Sequence, residues 1–307
     1  MHQQLYELRS LAADAENRKT ETGIPRVFMV RGEVPEHALA TVYEPMINLI
    51  LAGRKAMMVG NRTLRYDPAT YFVMTVDLPA IGTVSSGQNG EPYLAISLTL
   101  DPEVVGGLLS DVPVPSSASV PRAFEVAPVT ADLLDAWVRL FRLHQKPDEI
   151  AALAPAYERE ILFRVLQGPH GALLRDVATP TTMLARVNQT IRWVRDHYDQ
   201  PLRIDALAAM AAISTSAFHR HFKEVTTLSP LQFQKKMRLL HARRLLANGG
   251  HNATAAAFAV GYESVTQFSR EYARLFGASP ARDAARIIGE LRNSKKAAVN
   301  RRRSTSL

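Results

Sequence analysis

The spacing of apolar residues changes twice along this chain, and each change predicts a different kind of structure. Leu5, Leu8 and Leu11 sit three apart in a polar stretch, which predicts a short leading helix within residues 1–22. From Arg26 to Leu100 the apolar residues fall into short runs: Val27–Val30, Ile47–Leu51, Ala56–Val59, Tyr71–Val76 and Tyr93–Leu100. Ala52-Gly53, Gly60-Asn61, Asp67-Pro68 and Gly87 to Gly90 separate them. Short runs bounded by turn residues predict the strands of a small barrel or sandwich. Residues 111–121, with Pro113, Pro115, Pro121 and three serines, read as an exposed loop.

Helical spacing takes over at Thr130, a good N-cap, with Leu133, Leu134, Trp137, Leu140 and Phe141 on one face. A second helix is expected after Pro155, carrying Ile161, Leu162 and Val165 until Gly168-Pro169 stops it. From Thr181 onward every segment reads as helix. A chain of 307 residues is about two domains long. The boundary is expected between Ala178 and Thr182, giving domains at 1–180 and 181–292 and a basic, unstructured tail at 293–307.

The helical half repeats itself. Ser214, Phe218, Arg220, Phe222, Ser229 and Pro230 recur fifty positions later as Ser264, Phe268, Arg270, Tyr272, Ser279 and Pro280. Each copy offers a serine N-cap, two aromatics four apart on one buried face, and Ser-Pro where the next helix can begin. A short Ala-rich helix and a tight connection precede each copy: Ala211-Ala212-Ile213, and Val260-Gly261-Tyr262-Glu263. That is a helix-turn-helix written twice. Between the copies, Pro230 to Leu246 places Phe233, Met237, Leu240 and Leu245 along one side, as a rigid spacer helix would.

Opposite the aromatics, the first copy presents Ser216, Arg220 and Lys223 with His219 at the edge, and the second Thr266 and Arg270 with Gln267 and Ser269 flanking; Ser214, Thr215 and Ser264 at the helix starts complete the candidate DNA contacts. Arg reads guanine with two hydrogen bonds, Gln reads adenine, and small hydroxyl residues reach base edges or phosphates. Two such helices on one face of a duplex would enter successive major-groove segments about 34 Å apart. An all-helical bundle with a polar outer face would share the periodicity.

Charge favours the first reading. Residues 186–307 hold 21 Lys/Arg against 8 Asp/Glu, whereas residues 1–185 hold 16 against 21. A basic segment joined to a mildly acidic one is expected where one domain neutralises phosphates.

The repeat resembles the DNA-binding half of the AraC/XylS family of bacterial transcriptional regulators. The matching residues are Asp205-Ala206-Leu207-Ala208, Ser214 to Lys223 (STSAFHRHFK), Ser229-Pro230, Arg238-Leu239, Ala242, Leu245-Leu246, Gly261-Tyr262-Glu263-Ser264, Phe268-Ser269-Arg270 and Phe276-Gly277-Ala278-Ser279-Pro280. They keep one register over about 100 residues. The resemblance implies seven helices with two helix-turn-helix units joined by a long helix, binding to promoter DNA, usually activation, and RNA polymerase as a partner. Two positions depart from it. Ala212 stands where the first turn often has Gly, at some cost in backbone strain. Ala281-Arg282-Asp283-Ala284 replaces an aromatic and basic pair.

The first half resembles the AraC-type amino-terminal regulatory region, a cupin-like barrel. The carriers are Tyr43-Glu44-Pro45, Gly53-Arg54-Lys55, Asp77-Leu78-Pro79, Glu91-Pro92-Tyr93-Leu94 and Glu158-Arg159-Glu160-Ile161-Leu162 through Gly168-Pro169-His170-Gly171. It implies an α+β chain whose first domain senses a small molecule, forms a homodimer, or does both.

A metal-dependent cupin enzyme carrying a DNA-binding domain is the alternative. Metal-binding cupins use a His-x-His pair with a following Glu and a later His, but the strand region has only His37. His219 and His221 point about 200° apart on one helix and suit no common ion. The sequence holds no cysteine, nucleophile elbow, P-loop or dinucleotide fingerprint. No catalytic residue, metal or cofactor is therefore expected. Tyr43, Asn48, Tyr71, Thr75, Tyr93 and Ser97 are polar or aromatic groups that could line a barrel interior, or equally satisfy a packed core. Trp137 reads as a packing or dimer residue. No apolar run approaches the 18 or so residues of a membrane span, and the start lacks a signal-peptide profile, so the expected location is the cytoplasm.

Overall fold

The computed structural model describes residues 1–32, 39–68, 70–87, 90–112 and 123–290. His37, most of the proline-rich loop and the basic tail lie outside the described residues. The described residues form two compact bodies: those of Met1–Trp193 with Ile204–Pro230, and those of Val194–Arg203 with the described chain from Leu231.

In the first body, α1 (His2–Leu11) buries Leu5, Leu8 and Leu11. Ten strands follow among the described residues: β1 (Thr20–Glu21), β2 (Val27–Arg31), β3 (Ala40–Tyr43), β4 (Met46–Ala52), β5 (Arg54–Val59), β6 (Arg62–Tyr66), β7 (Thr70–Met74), β8 (Leu78–Ser85), β9 (Leu94–Thr99) and β10 (Phe124–Pro128). They make two antiparallel sheets, one ordered β1-β2-β9-β4-β7-β10 and the other β3-β8-β5-β6. The sheets meet face to face, since the Tyr66 ring on β6 stacks on Phe72 of β7 at 5.4 Å.

Burial explains why some strands were legible and others not. β4 and β7 are buried on both faces, against the second sheet and against helices, so they read as continuous apolar runs. β5 alternates exposed and buried residues because its outer face meets solvent. Strands β3, β6, β8 and β10 lack a marked apolar run: Arg62–Tyr66 alternates polar residues, and Leu78–Ser85 contains Pro79 and Gly82.

Among the described residues, four further α-helices belong to this body: α2 (Pro102–Leu109), α3 (Ala131–Arg142), α4 (Pro147–Gln167) and α5 (Gly171–Ala178). Thr130 caps α3 as expected, its hydroxyl accepting from the Leu133 amide at 3.3 Å, and Trp137 is fully buried within it. α4 corrects the sequence reading, because it starts at Pro147 and runs through Pro155. Pro155 lies on the exposed face with Ala151, whose carbonyl loses its helical partner but remains open to water. The buried face, with Ile161, Leu162 and Val165, holds the helix together. The Glu158-Arg159-Glu160 motif is partly structural here. Glu158 takes the fork of Arg26 at 3.1 and 2.5 Å, and Glu160 that of Arg139 at 2.9 and 2.5 Å.

Seven helices follow among the described residues: α6 (Met183–Asp196), α7 (Ile204–Met210), α8 (Thr215–Thr226), α9 (Pro230–Ala247), α10 (Ala253–Ala259), α11 (Val265–Phe276) and α12 (280–290). In the second body, Leu239, Ala242 and Leu246 of α9 share a core with Ala256, Ala257, Val260, Tyr262, Phe268 and Tyr272. α9 thus departs from a one-sided spacer. Phe233, Met237 and Leu240 are buried as expected, but so are Leu239, Ala242, Leu246 and Arg243 on other faces. A central helix must bury more than one stripe.

Candidate nucleic-acid interface

Both helix-turn-helix units are built by the same local devices. In the first, α7 ends at Met210, the Ile213 amide returns to the Ala208 carbonyl at 3.1 Å, and Ser214 caps α8 by accepting from the Ala217 amide at 3.3 Å. In the second, the Tyr262 amide returns to the Ala257 carbonyl at 3.0 Å, and Ser264 caps α11 by accepting from the Gln267 amide at 3.2 Å. The second turn carries one extra residue, Glu263. The helices also end alike, at left-handed Thr227 (φ 63°) and Gly277 (φ 74°).

The turn residues explain the Ala212 departure. Ala212 has φ 52°, where an L side chain is strained, and its counterpart Gly261 has φ 82°. A Cβ on Gly261 would fall 2.0 Å from the Asp199 carbonyl oxygen, so only glycine fits the second turn. The Arg238 guanidinium fixes that neighbourhood, donating to the carbonyls of Tyr198 at 2.6 Å, Asp199 at 3.1 Å, Gln200 at 2.9 Å and Gly261 at 2.8 Å.

The aromatics seat each second helix. Phe218 and Phe222 are fully buried with their rings 5.4 Å apart, and Phe268 and Tyr272 are fully buried at 5.5 Å. Each buried ring contributes about 2 to 3 kcal/mol, enough to fix which face of the helix is left outside.

That outer face carries the residues chosen from the sequence. Ser214, Thr215, Ser216, His219, Arg220 and Lys223 are all exposed, as are Ser264, Thr266, Gln267 and Arg270; Ser269 is half-buried. Lys223 and Arg270 have no carboxylate partner among the described residues, so neither must break an ion pair to meet a phosphate. Gln267 is engaged, donating to Glu271 at 3.2 Å. Glu271 also accepts from Lys235 at 2.8 Å and from the Tyr262 hydroxyl at 2.8 Å. Burial works against its charge, but those three donors prevail and hold the carboxyl below its ordinary range. His221 is tied to Glu224 at 2.8 Å.

Arg274 was missed. It is exposed, without a partner among the described residues, and lies one turn beyond Arg270. Its spacing of four from Arg270, itself four from Thr266, was the available signal.

Among the described residues, no group of three or more His, Asp or Glu could hold a metal ion, and no helix is long and apolar enough to cross a membrane.

Two helix-turn-helix units behind a double-sheet β domain define a class of DNA-binding protein. Residues 23–173 match the model of the AraC-type transcriptional regulator N-terminus, and residues 207–286 match that of a helix-turn-helix domain. The chain belongs to the AraC/XylS family of transcriptional regulators. It is 35% identical over 96 residues to the HTH-type transcriptional activator RhaS of Escherichia fergusonii, covering 31% of this chain and 34% of that one. To the RhaS of Salmonella arizonae it is 33% identical over 129 residues, covering 41% and 46%. The chain thus matches less than half the length of these relatives. Among solved structures, ToxT from Vibrio cholerae shares the fold, with TM-score 0.54 and 8% identity over 84% of this chain and 96% of that one.

Proposed function

We propose that the protein is a sequence-specific DNA-binding regulator of transcription, acting as an activator with RNA polymerase as its partner. The reading helices are α8, through Ser214, Thr215, Ser216, His219, Arg220 and Lys223, and α11, through Ser264, Thr266, Gln267, Ser269 and Arg270, with Arg274 added. Residues 181–292 form the DNA-binding domain. Residues 1–180 sense a small molecule or mediate dimerisation. The location is the cytoplasm, where promoter DNA is met. A single observation carries the reading: two helices fifty residues apart share caps, buried aromatics and an exposed polar face with an arginine at the same place. The basic excess of this half supplies phosphate attraction.

The test is to mix the protein with sheared DNA from its own genome at moderate salt and sequence the bound fragments. Enrichment of a few sites with two short motifs about one helical turn apart is expected. Uniform recovery of all sequences would mean phosphate binding without base reading. No recovery at low salt, with and without cell extract as an effector source, would remove the DNA-reading assignment.

A further inference from the structure

Gln267 on α11 is held in place by its own helix. Its Nε2 donates to Glu271 Oε1 at 3.2 Å, one turn further on. A carboxylate only accepts, so the amide nitrogen must be the atom that faces it. One N–H is thereby spent, and the second N–H and the amide oxygen remain on an exposed residue. Glu271 is fixed in turn from two other places. Its Oε1 also accepts from Lys235 Nζ on α9 at 2.8 Å, and its Oε2 accepts from the Tyr262 hydroxyl at 2.8 Å. Tyr262 is buried against Phe268, with ring centroids 5.3 Å apart. With three donors on it and its side chain only 14% exposed, Glu271 is not free to reach a base itself.

A carboxylate on a helix that approaches phosphates works against binding, so its presence on α11 calls for a reason. The two reading helices supply a comparison within one chain. They share serine caps and paired buried aromatics, which are what folding requires of both. At the places of Gln267 and Glu271, however, α8 has Ala217 and His221. Ala217 offers no side-chain donor or acceptor, and His221 is tied to Glu224 at 2.8 Å. The glutamine with its carboxylate holder belongs to α11 alone, which ties it to what α11 reads and not to how such a helix is seated.

We propose that Gln267 is a specificity-determining residue that reads adenine in the major groove, and that Glu271, held by Lys235 and Tyr262, is the positioning residue that presents its amide. The proposal rests on the regulator reading and assigns one base of the binding site to one side chain. Adenine offers an acceptor, N7, beside a donor, its N6 amino group, and the remaining N–H and oxygen of Gln267 match that pair. Guanine offers two acceptors at the same edge and would set its O6 against the amide oxygen. Fixing the amide beforehand also removes rotamer freedom that binding would otherwise have to freeze.

The test selects binding sites from a pool of random duplex DNA with the full chain and its variants. Gln267→Ala should erase the preference at one base pair of one motif and leave the other motif intact. In the parent that base should be adenine, favoured about tenfold. Replacing it by 7-deazaadenine, which lacks the N7 acceptor, should weaken the parent about fivefold or more and leave Gln267→Ala unchanged. Glu271→Leu should lower the same preference to about threefold or less while binding to scrambled DNA holds or strengthens. Glu271→Gln keeps the Oε1 acceptor and should keep the preference. In the Gln267→Ala background, Glu271→Leu should change nothing further at that base. A base other than adenine, no response to 7-deazaadenine, a preference that survives Glu271→Leu or is lost in Glu271→Gln, or loss of both motifs in Glu271→Leu would each overturn the proposal. A parent that selects no site at all removes the regulator reading and this assignment with it, whereas the other outcomes remove the assignment alone.

Discussion

Arg243 on α9 donates to Asp283 on α12 from Nε at 2.8 Å and Nη2 at 3.3 Å, with both side chains buried. Asp283 also accepts from the Tyr272 hydroxyl at 2.9 Å and from Arg286 at 2.6 Å. Three donors on three helices thus converge on one carboxylate, and the Arg243 guanidinium rests 4.3 Å from the centre of the Phe276 ring. This explains the unusual Ala281-Arg282-Asp283-Ala284 stretch: Asp283 ties α12 to the second helix-turn-helix unit.

Removing that carboxylate should unfold the second body first. Asp283→Ala leaves the buried Arg243 charge uncompensated, and is expected to cost about 3 to 5 kcal/mol. Chemical denaturation followed by the fluorescence of a probe on α11 measures it. A loss under about 1 kcal/mol would show that water reaches Arg243 and the pair is not buried in solution.

The two turns should respond in opposite directions to the same kind of exchange. Ala212→Gly relieves a side chain held at φ 52° and is expected to be neutral or stabilising by up to about 1 kcal/mol. Gly261→Ala meets both φ 82° and the Asp199 carbonyl, and should cost about 2 kcal/mol or more. Thermal melts of the two variants decide it, and equal changes in both would refute the strain account.

On DNA, Arg220→Ala and Arg270→Ala should each cost about 1 to 3 kcal/mol of specific binding while leaving helicity intact. Lys223→Ala should weaken binding to all sequences alike and lower the salt dependence by about one phosphate contact. Gel-shift titrations on an enriched site and on a scrambled one separate these effects. Loss of circular dichroism in either arginine variant would assign that arginine to folding instead.

Acid should destabilise the first body through His170. Its ring is fully buried with neither nitrogen hydrogen-bonded, edge-on to Tyr71 at 4.9 Å and with Nδ1 4.0 Å from a carboxylate oxygen of Glu125, and burial lowers its pKa from 6.5 to about 4. Between those values the unfolded chain binds a proton that the folded chain refuses. The stability is therefore complete above about pH 6.5 and is lost as pH falls toward 4, by on the order of 2 kcal/mol. His241, stacked on Tyr198 at 4.1 Å and lowered to about 4 by burial and then by Arg244, adds a loss of the same sign in the second body. Urea midpoints at about pH 7.5 and 5 should differ less in His170→Leu than in the parent. An unchanged difference would mean that His170 does not carry the effect.

The same residues show how far the sequence could be read. Ser214, Ser264 and the paired aromatics were legible because a cap and a helical face are short-range matters, decided by side chains within four positions. Tyr71 was not: it was a candidate for the barrel interior, but its strand is buried on both faces and it points toward His170 on the helix side. Thr75 likewise spends its hydroxyl on the Ala123 carbonyl at 3.2 Å. Period-two alternation cannot reveal which side of a doubly buried strand faces which layer.

By itself the sequence determined the doubled helix-turn-helix, the exposed polar residues of its second helices and the basic charge of that half, because all three follow from local spacing and composition. Only the tertiary structure decided that Asp283 is the buried partner of Arg243, that Pro155 sits inside a helix, and that Glu271 takes Lys235 and Tyr262 as donors. Each of those depends on residues brought together from distant strands and helices, where burial strips away water and makes the identity of the neighbour decisive.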